Sequence, residues 1–242
     1  MKKRRALLIA AVLVLLAAAF FIYTGIYYHA DASAAAALSS DETVTVVETG
    51  FGWLFDGPSE DCALVFYPGG KVEETAYAPF LHRMAAEGMD VFLLKLPLRL
   101  AVLSPNRAAA VMEHYSYGRW YVGGHSLGGA IAANFAASHG DALEGVILLA
   151  AYPTKALPAD LTEILLVGSE DGVVRRDKIE AGRQYAPERF TEAVIEGGNH
   201  AQFGNYGAQR GDGTPSLTAE EQQAEAVRII TETLFPDKKP EA

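Results

Sequence analysis

The apolar and polar positions of the chain change period along its length, and the order of those periods predicts the fold. Two early segments, 43–48 and 51–55, alternate apolar and polar side chains around Gly50, as in a β-hairpin. The next segment, Ala63 to Tyr67, is short and entirely apolar, which is typical of a strand buried on both faces. The folded part of the chain is therefore predicted to begin with strands.

From residue 73 onward, helical spacing of apolar residues alternates with short apolar runs. Helices are predicted over 73–87, 104–115, 130–139 and 177–185 and from 218 onward, and strands over 91–96, 120–122, 145–151, 164–168 and 192–196. An antiparallel pair followed by repeated strand–helix units predicts an α/β fold with a mostly parallel, doubly wound sheet. Ligands of such sheets bind at the carboxyl ends of the strands, so chemistry is expected in the loops that follow them.

The N-terminus has a pattern of its own, in which a basic cluster, Lys2 to Arg5, precedes an unbroken apolar run from Ala6 to Tyr23. Continued to Tyr28 as a helix at about 1.5 Å per residue, this run would be about 35 Å long, enough to cross a bilayer. We predict a single-pass signal-anchor over residues 1–30. It keeps the basic end in the cytoplasm and places the rest of the chain outside the cytoplasmic membrane.

A cleaved signal peptide is the alternative, since Ala-x-Ala patterns occur at 30–32 and 32–34. The apolar regions of signal peptides are usually about 7–15 residues long, and this run is longer, which favours the anchor. Residues 31–41 are rich in Ala and Ser without an alternating pattern, so they are predicted to be a tether. Residues 42–242 are then predicted to form one domain.

Composition narrows the possible partners. The chain has 242 residues, a formal net charge of −10 and one cysteine. The negative balance argues against binding nucleic acid, whose phosphates would be repelled. The single cysteine, Cys62, excludes an internal disulfide even though the domain is expected to be exported. The sequence instead predicts that the protein binds a lipid bilayer through its N-terminal helix.

One short motif stands at the junction of a predicted strand and a predicted helix. Residues 124–128 have the form Gly-x-Ser-x-Gly, with an apolar strand before them and a small-residue helix after them. A strand that turns directly into a helix holds the central serine in a strained conformation, with its hydroxyl exposed at the edge of the sheet. We therefore identify Ser126 as the candidate nucleophile. A glycine-rich turn with an incidental serine is the alternative.

A serine hydroxyl is a weak nucleophile and needs a base, which in turn needs an acid to orient it. His200 follows the last predicted strand in a glycine-containing loop, at the sheet edge where Ser126 is expected, and is the candidate base. Asp171, after the preceding strand, is the candidate acid, and its neighbour Glu170 is the rival. The chain order Ser, Asp, His is the one expected on this kind of sheet.

The tetrahedral intermediate of acyl transfer carries a negative oxygen that needs hydrogen-bond donors, usually two. The N–H of Leu127, at the start of the helix after Ser126, is the first candidate. The second is expected in the glycine-containing loop 68–71, where either Gly70 or Lys71 would donate.

On these motifs the chain resembles the α/β-hydrolase superfamily, and looks most like its small bacterial fold-5 group, whose members often carry an N-terminal anchor. The resemblance spans about residue 63 to the C-terminus and includes the Gly-x-Ser-x-Gly motif and the runs at 68–71, 168–171 and 198–204. It implies an α/β-hydrolase fold, and similarity to dienelactone-hydrolase-like proteins implies hydrolysis of carboxylic esters. The nucleophile here is Ser126, not the cysteine of dienelactone hydrolases proper, so their particular substrate is not implied.

The leading hypothesis is a membrane-tethered serine hydrolase that cleaves a small carboxylic ester or related acyl compound through an acyl-enzyme. Amide cleavage or acyl transfer with the same residues is one alternative, and a non-catalytic exported binding domain is another. No His, Cys or Asp cluster has ligand spacing and no loop has a nucleotide-binding pattern, so neither metal nor cofactor is expected. The connection 153–160 is too short for a lid or cap domain, and an uncovered site is expected to favour short acyl chains.

Overall fold

The computed structural model of the protein describes residues 2–58 and 61–236. The strands, in chain order, are β1 (Thr45–Thr49), β2 (Gly52–Asp56), β3 (Cys62–Tyr67), β4 (Asp90–Leu94), β5 (Arg119–His125), β6 (Gly145–Leu149), β7 (Thr162–Gly168) and β8 (Arg189–Ile195). The helices are α1 (Lys2–Gly25), α2 (Ala32–Ala36), α3 (Ala78–Ala86), α4 (Arg107–His114), α5 (Leu127–His139), α6 (Arg176–Gly182) and α7 (Ala219–Leu234). Short 3₁₀ turns lie in the connections, at Glu74–Tyr77, Pro97–Arg99, Ala101–Leu103, Gly140–Ala142, Arg183–Tyr185 and Ala201–Phe203.

The strands of the described residues form one eight-stranded sheet in the order β1-β2-β4-β3-β5-β6-β7-β8. The hairpin β1–β2 is antiparallel and β2 pairs antiparallel with β4, whereas the other pairs are parallel. The predicted α/β fold, with a mostly parallel sheet preceded by an antiparallel hairpin, is confirmed. The parallel strands end at the same edge, which brings the segments after β3, β5, β7 and β8 side by side.

Helices cover both faces of the sheet, and the buried apolar side chains form one cluster on each face. In β3, Leu64 and Phe66 belong to the cluster beneath α3 and α7, whereas Val65 and Tyr67 belong to the cluster beneath α4 and α5. This alternation is the two-residue period of a strand, and it explains why a doubly covered strand has an unbroken apolar sequence. The doubly wound arrangement that the sequence predicts follows from these two cores.

The N-terminal helix α1 is long and apolar enough over Lys3–Gly25 to cross a membrane. Its most apolar stretch is not buried against the rest of the protein. Both a membrane span and a signal sequence have this character, because each places apolar side chains in lipid rather than in a protein core.

Residues 31–41, predicted to be a tether, instead pack on the folded domain, so that prediction is wrong. Asp31 caps α2 by accepting hydrogen bonds from the N–H groups of Ser33 and Ala34. Ala34 is fully buried, and Leu38 packs against the core beneath α3. Small alanine side chains let α2 approach its neighbours closely, and an alanine-rich composition does not reveal such a tertiary contact.

One ionisable side chain, Glu163 of β7, is buried beside Val146 of β6 and Phe190 of β8. Neither of its carboxyl oxygens has a hydrogen-bond partner within the described residues. Burial, and secondly the negative charge of Glu192, raise the pKa of Glu163 to about 8. The side chain is therefore protonated at neutral pH in the folded protein.

Replacing Glu163 by glutamine is expected to flatten the pH dependence of stability. The pKa of this carboxyl is 4.5 in the unfolded protein and about 8 in the folded protein, so between these pH values the folded state binds one more proton. Its contribution to the free energy of unfolding is fully present below the unfolded pKa and is lost as pH rises through the folded pKa, at up to about 1.4 kcal/mol per pH unit. Denaturant unfolding of the full chain in detergent at several pH values measures this.

The exposed Glu188 offers a matched control, since Glu188→Gln also removes one carboxyl group. If Glu163→Gln and the wild type lose stability equally as pH rises through the neutral range, then Glu163 is not the group that titrates.

Candidate active site

Ser126 is the only residue between β5 and α5. Its backbone angles, φ 53° and ψ −121°, lie where a residue with a side chain is strained. A Cβ on Gly124 would lie 2.5 Å from the carbonyl oxygen of Tyr67, and one on Gly128 would collide with the carbonyls of Tyr67 and Pro68. Both glycines are therefore needed for the strand, the turn and the loop to pack together. The Gly-x-Ser-x-Gly motif has the strand–turn–helix context expected of it.

The candidate acid and the candidate base follow neighbouring parallel strands, β7 and β8, and meet at the sheet edge. Nδ1 of His200 lies 2.8 Å from Oδ2 of Asp171. The side chains are 2% and 0% exposed, respectively, so the pair is shielded from water. Oδ1 of Asp171 accepts hydrogen bonds of 2.8 Å from the N–H groups of Val173 and Val174. Both carboxyl oxygens thus have a fixed partner.

Glu170, the rival acid, is exposed and accepts a hydrogen bond from the hydroxyl of Ser169. Among the described residues, Glu170 makes no hydrogen bond with His200. The geometry therefore favours Asp171 as the acid, which residue order alone left open.

Two opposing effects set the pKa of Asp171. Burial raises the pKa, but the hydrogen bond from His200, the charge of that ring and the backbone N–H groups together lower it by more. The net shift is therefore downward from 3.8. An ionised carboxylate holds the proton of His200 on Nδ1 and leaves Nε2 as the proton acceptor. Nε2 is buried and has no hydrogen-bond partner within the described residues, Ser126 included. In hydrolases without bound substrate, the distance between the nucleophile and its base is often longer than a hydrogen bond.

A second histidine, His125, packs directly against the first. The ring centroids of His125 and His200 lie 4.4 Å apart. Nδ1 of His125 lies 2.8 Å from the hydroxyl of Tyr77, and the same hydroxyl accepts a hydrogen bond of 3.1 Å from the N–H of Gly69. The hydroxyl of Tyr77 therefore joins the ring of His125 to the backbone of Gly69.

Burial lowers the pKa of His125 well below 6.5, and a positive charge on His200 lowers it further. His125 therefore stays neutral when His200 takes a proton. In the sequence, His125 is simply a residue of the Gly-x-Ser-x-Gly motif. Its contact with Tyr77 could not be predicted, because Tyr77 comes from a different segment of the chain.

The loops that carry Asp171 and His200 are joined by Asp212, which sequence analysis missed. Oδ1 of Asp212 accepts hydrogen bonds from the N–H groups of Gly172, at 3.1 Å, and His200, at 3.2 Å. Oδ2 accepts from the N–H of Ala201 at 2.8 Å. One carboxylate therefore fixes the acid loop relative to the base loop. The glycine-rich run around Asp212 was the only signal in the sequence.

The base loop is also fixed from below by α7. The fully buried side chain of Gln222 accepts a hydrogen bond of 2.9 Å from the N–H of Asn199 and donates one of 2.8 Å to its carbonyl oxygen. The side chain of Asn199 in turn donates to the carbonyl oxygen of Gly213. These contacts hold the residue before His200 by its backbone, so the ring position depends little on the flexibility of the glycines.

The two expected oxyanion donors lie on segments that touch. A Cβ on Gly70 would lie 2.7 Å from Cδ2 of Leu127, so only glycine fits there without displacing Leu127. The N–H of Leu127 opens α5 and has no acceptor within the helix. The N–H of Lys71 donates to the carbonyl oxygen of Arg99 at 2.9 Å. Because that donor is already paired, the structure favours Gly70 over Lys71 as the second donor.

The described residues contain no group of three or more His, Cys, Asp or Glu side chains placed to hold a metal ion. The connection between β6 and β7, residues 150–161, carries no helix or strand. No cap domain inserted there covers the sheet edge.

Residues 63–224 match the sequence model of the alpha/beta hydrolase family. A search of the curated proteins finds no match. Similar solved structures include TT1662 from Thermus thermophilus, with a TM-score of 0.56 and 15% identity over 79% of this chain and 98% of that one. The carboxylesterase CesB (YbfK) from Bacillus subtilis gives a TM-score of 0.56 and 10% identity over 84% of this chain and 95% of its own.

A crystal structure described as a membrane phospholipase A gives a TM-score of 0.54 and 15% identity, over 94% of this chain and 99% of that one. At these identities the structural likeness shows the fold alone. The sequence match, in contrast, spans the strands and loops that carry the candidate site. The resemblance to the superfamily is thus confirmed, and the chain belongs to the alpha/beta hydrolase family.

Proposed function

We propose that this hydrolase cleaves a carboxylic ester or a related acyl compound, with Ser126 as nucleophile, His200 as base and Asp171 as orienting acid. The observation that carries the proposal is the buried hydrogen bond between Asp171 and His200, whose Nε2 has no other partner, at the sheet edge where Ser126 is held at φ 53°. A buried ionisable pair and a strained serine both oppose folding, and together they favour a catalytic role over a structural one.

In the first half-reaction, Nε2 of His200 takes the hydroxyl proton of Ser126 as Oγ forms a bond to the acyl carbon. The carbonyl electrons move onto oxygen, which accepts hydrogen bonds from the N–H groups of Leu127 and Gly70. The intermediate collapses, the bond to the leaving alcohol breaks, and the alcohol takes the proton from His200. In the second half-reaction, water gives a proton to His200 as its oxygen bonds to the acyl carbon. The bond from that carbon to Oγ then breaks, Oγ takes the proton back from His200, and the acid leaves.

CesB, which shares the fold, is a carboxylesterase, and this supports ester cleavage as the reaction. Amide cleavage and acyl transfer to another acceptor would use the same three side chains, differing only in the leaving group or in what replaces water. A non-catalytic binding domain is the remaining alternative, and it gives no reason for a buried acid–base pair.

For location, we propose that α1 spans the cytoplasmic membrane with the basic start inside and the hydrolase domain outside. Two observations support this. The first is the length and apolarity of α1, and the second is that four Lys and Arg residues lie at its N-terminal end and none at its C-terminal end. Retention of α1 as an anchor, rather than its removal as a signal peptide, is part of the proposal.

One experiment tests the reaction and the location together. A membrane-impermeant fluorophosphonate probe, which reacts with activated serines, is added to spheroplasts that express the full chain. We expect the wild type to be labelled and Ser126→Ala to remain unlabelled. Labelling that appears only after lysis would contradict the location, and absence of labelling before and after lysis would contradict the serine mechanism.

A further inference from the structure

The chain that leaves α1 is joined to the active-site loops, and this arrangement points to where the substrate comes from. The N–H of Tyr28 donates to the carbonyl oxygen of Lys71 and the N–H of Glu73 donates to the carbonyl oxygen of Tyr28, each at 2.8 Å. These bonds form a parallel β-bridge between Tyr28 and Val72. The end of the apolar helix is thus fixed directly beside Gly70, the favoured oxyanion donor.

Two cation–aromatic contacts add to the bridge. Nζ of Lys71 lies 3.7 Å from the ring centroid of Tyr23, and Cζ of Arg99 lies 3.4 Å from that of Tyr27. Lys71 and Arg99 are themselves joined by a backbone hydrogen bond of 2.9 Å. Tyr23 belongs to α1 itself, so the helix reaches the loops after β3 and β4 without any flexible segment between.

The same N-terminal segment contacts the loop after His200. The N–H of Asp31 donates to the carbonyl oxygen of Asn205 at 2.9 Å, and the N–H of Arg210 donates to the hydroxyl of Tyr28 at 3.2 Å. The rings of Tyr28 and Tyr206 lie 5.5 Å apart. The exit of the helix therefore lies between the loop that carries Gly70 and the loop that carries His200, so a membrane around α1 would lie next to the active edge of the sheet.

An apolar surface lies beside the helix at this edge. Residues 97–103, here called the rim loop, contact α1 through the turn Pro97–Arg99. Val102 and Leu103 of this loop are 49% and 47% exposed, and Leu98 and Leu100 are partly exposed. Single exposed apolar residues are ordinary, but these lie in a loop that contacts α1, whose own exposed apolar side chains are suited to lipid. A bilayer around α1 would cover both surfaces at once.

We propose that the substrate is a fatty-acyl ester of a glycerolipid in the bilayer that holds α1, and that the rim loop lies on that bilayer and receives the lipid from it. This proposal rests on the proposed ester hydrolysis and assigns its substrate class. The ester carbonyls of glycerolipids lie at the boundary between head groups and acyl chains, the level at which Trp and Tyr side chains such as Tyr23 and Tyr27 are enriched. Oγ of Ser126 bonds to the acyl carbon as the bond from that carbon to the glycerol oxygen breaks, and the glycerol oxygen takes the proton from His200. Water then releases the fatty acid.

This substrate class is compatible with the absence of a lid. The uncovered site was expected to favour short acyl chains, because it offers little apolar wall to a substrate that arrives from water. A lipid that enters from the bilayer leaves most of its chains in the membrane, so the enzyme need not provide that wall.

The test uses the full chain reconstituted in vesicles of phosphatidylethanolamine and phosphatidylglycerol with a radiolabelled acyl chain. Released fatty acid is measured beside hydrolysis of the soluble ester p-nitrophenyl acetate. Val102→Asp puts a charge on the rim loop, whereas Val47→Asp makes the same change at a valine 45% exposed on the edge strand β1. We expect the wild type to release fatty acid from its host vesicles. Val102→Asp should lower that release about tenfold without changing soluble-ester hydrolysis, and Val47→Asp should change neither.

Each other result overturns a defined part of the argument. Hydrolysis of p-nitrophenyl acetate without release of fatty acid overturns the lipid substrate and leaves the ester hydrolase in place. Equal release by Val102→Asp and Val47→Asp overturns the role of the rim loop. Failure of the wild type on both substrates overturns the proposed function itself. If Val102→Asp loses soluble-ester hydrolysis, Val102→Ser replaces it in the same comparison, with a loss confined to lipid release expected.

Discussion

Replacing Ser126 with alanine is expected to lower kcat for ester hydrolysis by roughly 10⁴- to 10⁶-fold. In the proposed mechanism this hydroxyl forms the covalent bond to the acyl group, and no other serine has a strained, positive φ among the described residues. His200→Ala should have an effect of similar size, because a hydroxyl without its base is a poor nucleophile. The double variant should be little worse than either single one, since the two side chains act as a unit. Steady-state kinetics on p-nitrophenyl acetate measure all three.

Ser138→Ala is the matched control, since it removes an exposed hydroxyl near the end of α5 whose one hydrogen bond among the described residues is to the carbonyl of Asn134 in the same helix. It should retain the wild-type rate. A Ser126→Ala protein that is folded, as judged by its melting temperature, and keeps more than about 1% of the activity would mean that another group attacks the acyl carbon.

Asp171→Asn should cost about 10⁴-fold in kcat with little change in fold. Oδ1 of Asp171 already accepts two backbone N–H groups, from Val173 and Val174, so the asparagine would keep its carbonyl oxygen there. Its amide NH₂ would then face Nδ1 of His200, which would have to become an acceptor. The imidazole proton would move to Nε2, the nitrogen that must receive the proton of Ser126.

Glu170→Gln is the control for this change, since it alters the neighbouring carboxylate, which is exposed and accepts a hydrogen bond from Ser169. Less than a twofold effect on kcat is expected. If Glu170→Gln abolishes activity and Asp171→Asn does not, the loop has a different active conformation and the acid has been assigned to the wrong residue.

Much of this site could be predicted because it depends on short-range patterns. A glycine two residues on either side of Ser126 is required by close backbone approach, and such a requirement is visible in sequence. The base followed from the order of strands, since only His200 comes after a strand end at the right edge. The sequence favoured Asp171 as the acid but left Glu170 as a rival, because the assignment depends on which carboxyl meets Nδ1 of His200.

Where distant segments meet, local signals failed. Ser104 and Pro105 predict a helix start, but α4 begins at Arg107, so that prediction is wrong. The preceding residues form 3₁₀ turns in which Leu98 and Arg99 have positive φ. The carbonyl of Arg99 is thereby turned toward the N–H of Lys71, a contact between two loops that no capping pattern contains. The roles of Asp212 and Gln222 were hidden for the same reason.

The β-bridge at Tyr28 determines where this protein can be shortened to obtain a soluble enzyme. A cut at Asp41, which an unstructured tether would permit, removes Tyr28, the backbone partner of Lys71 and Glu73, and uncovers the side of Val72. It also removes the chain that bonds to Asn205, in the loop after His200. A cut between Gly25 and Tyr27 removes the apolar helix and keeps these contacts. The smallest fragment that keeps these contacts therefore begins directly after α1.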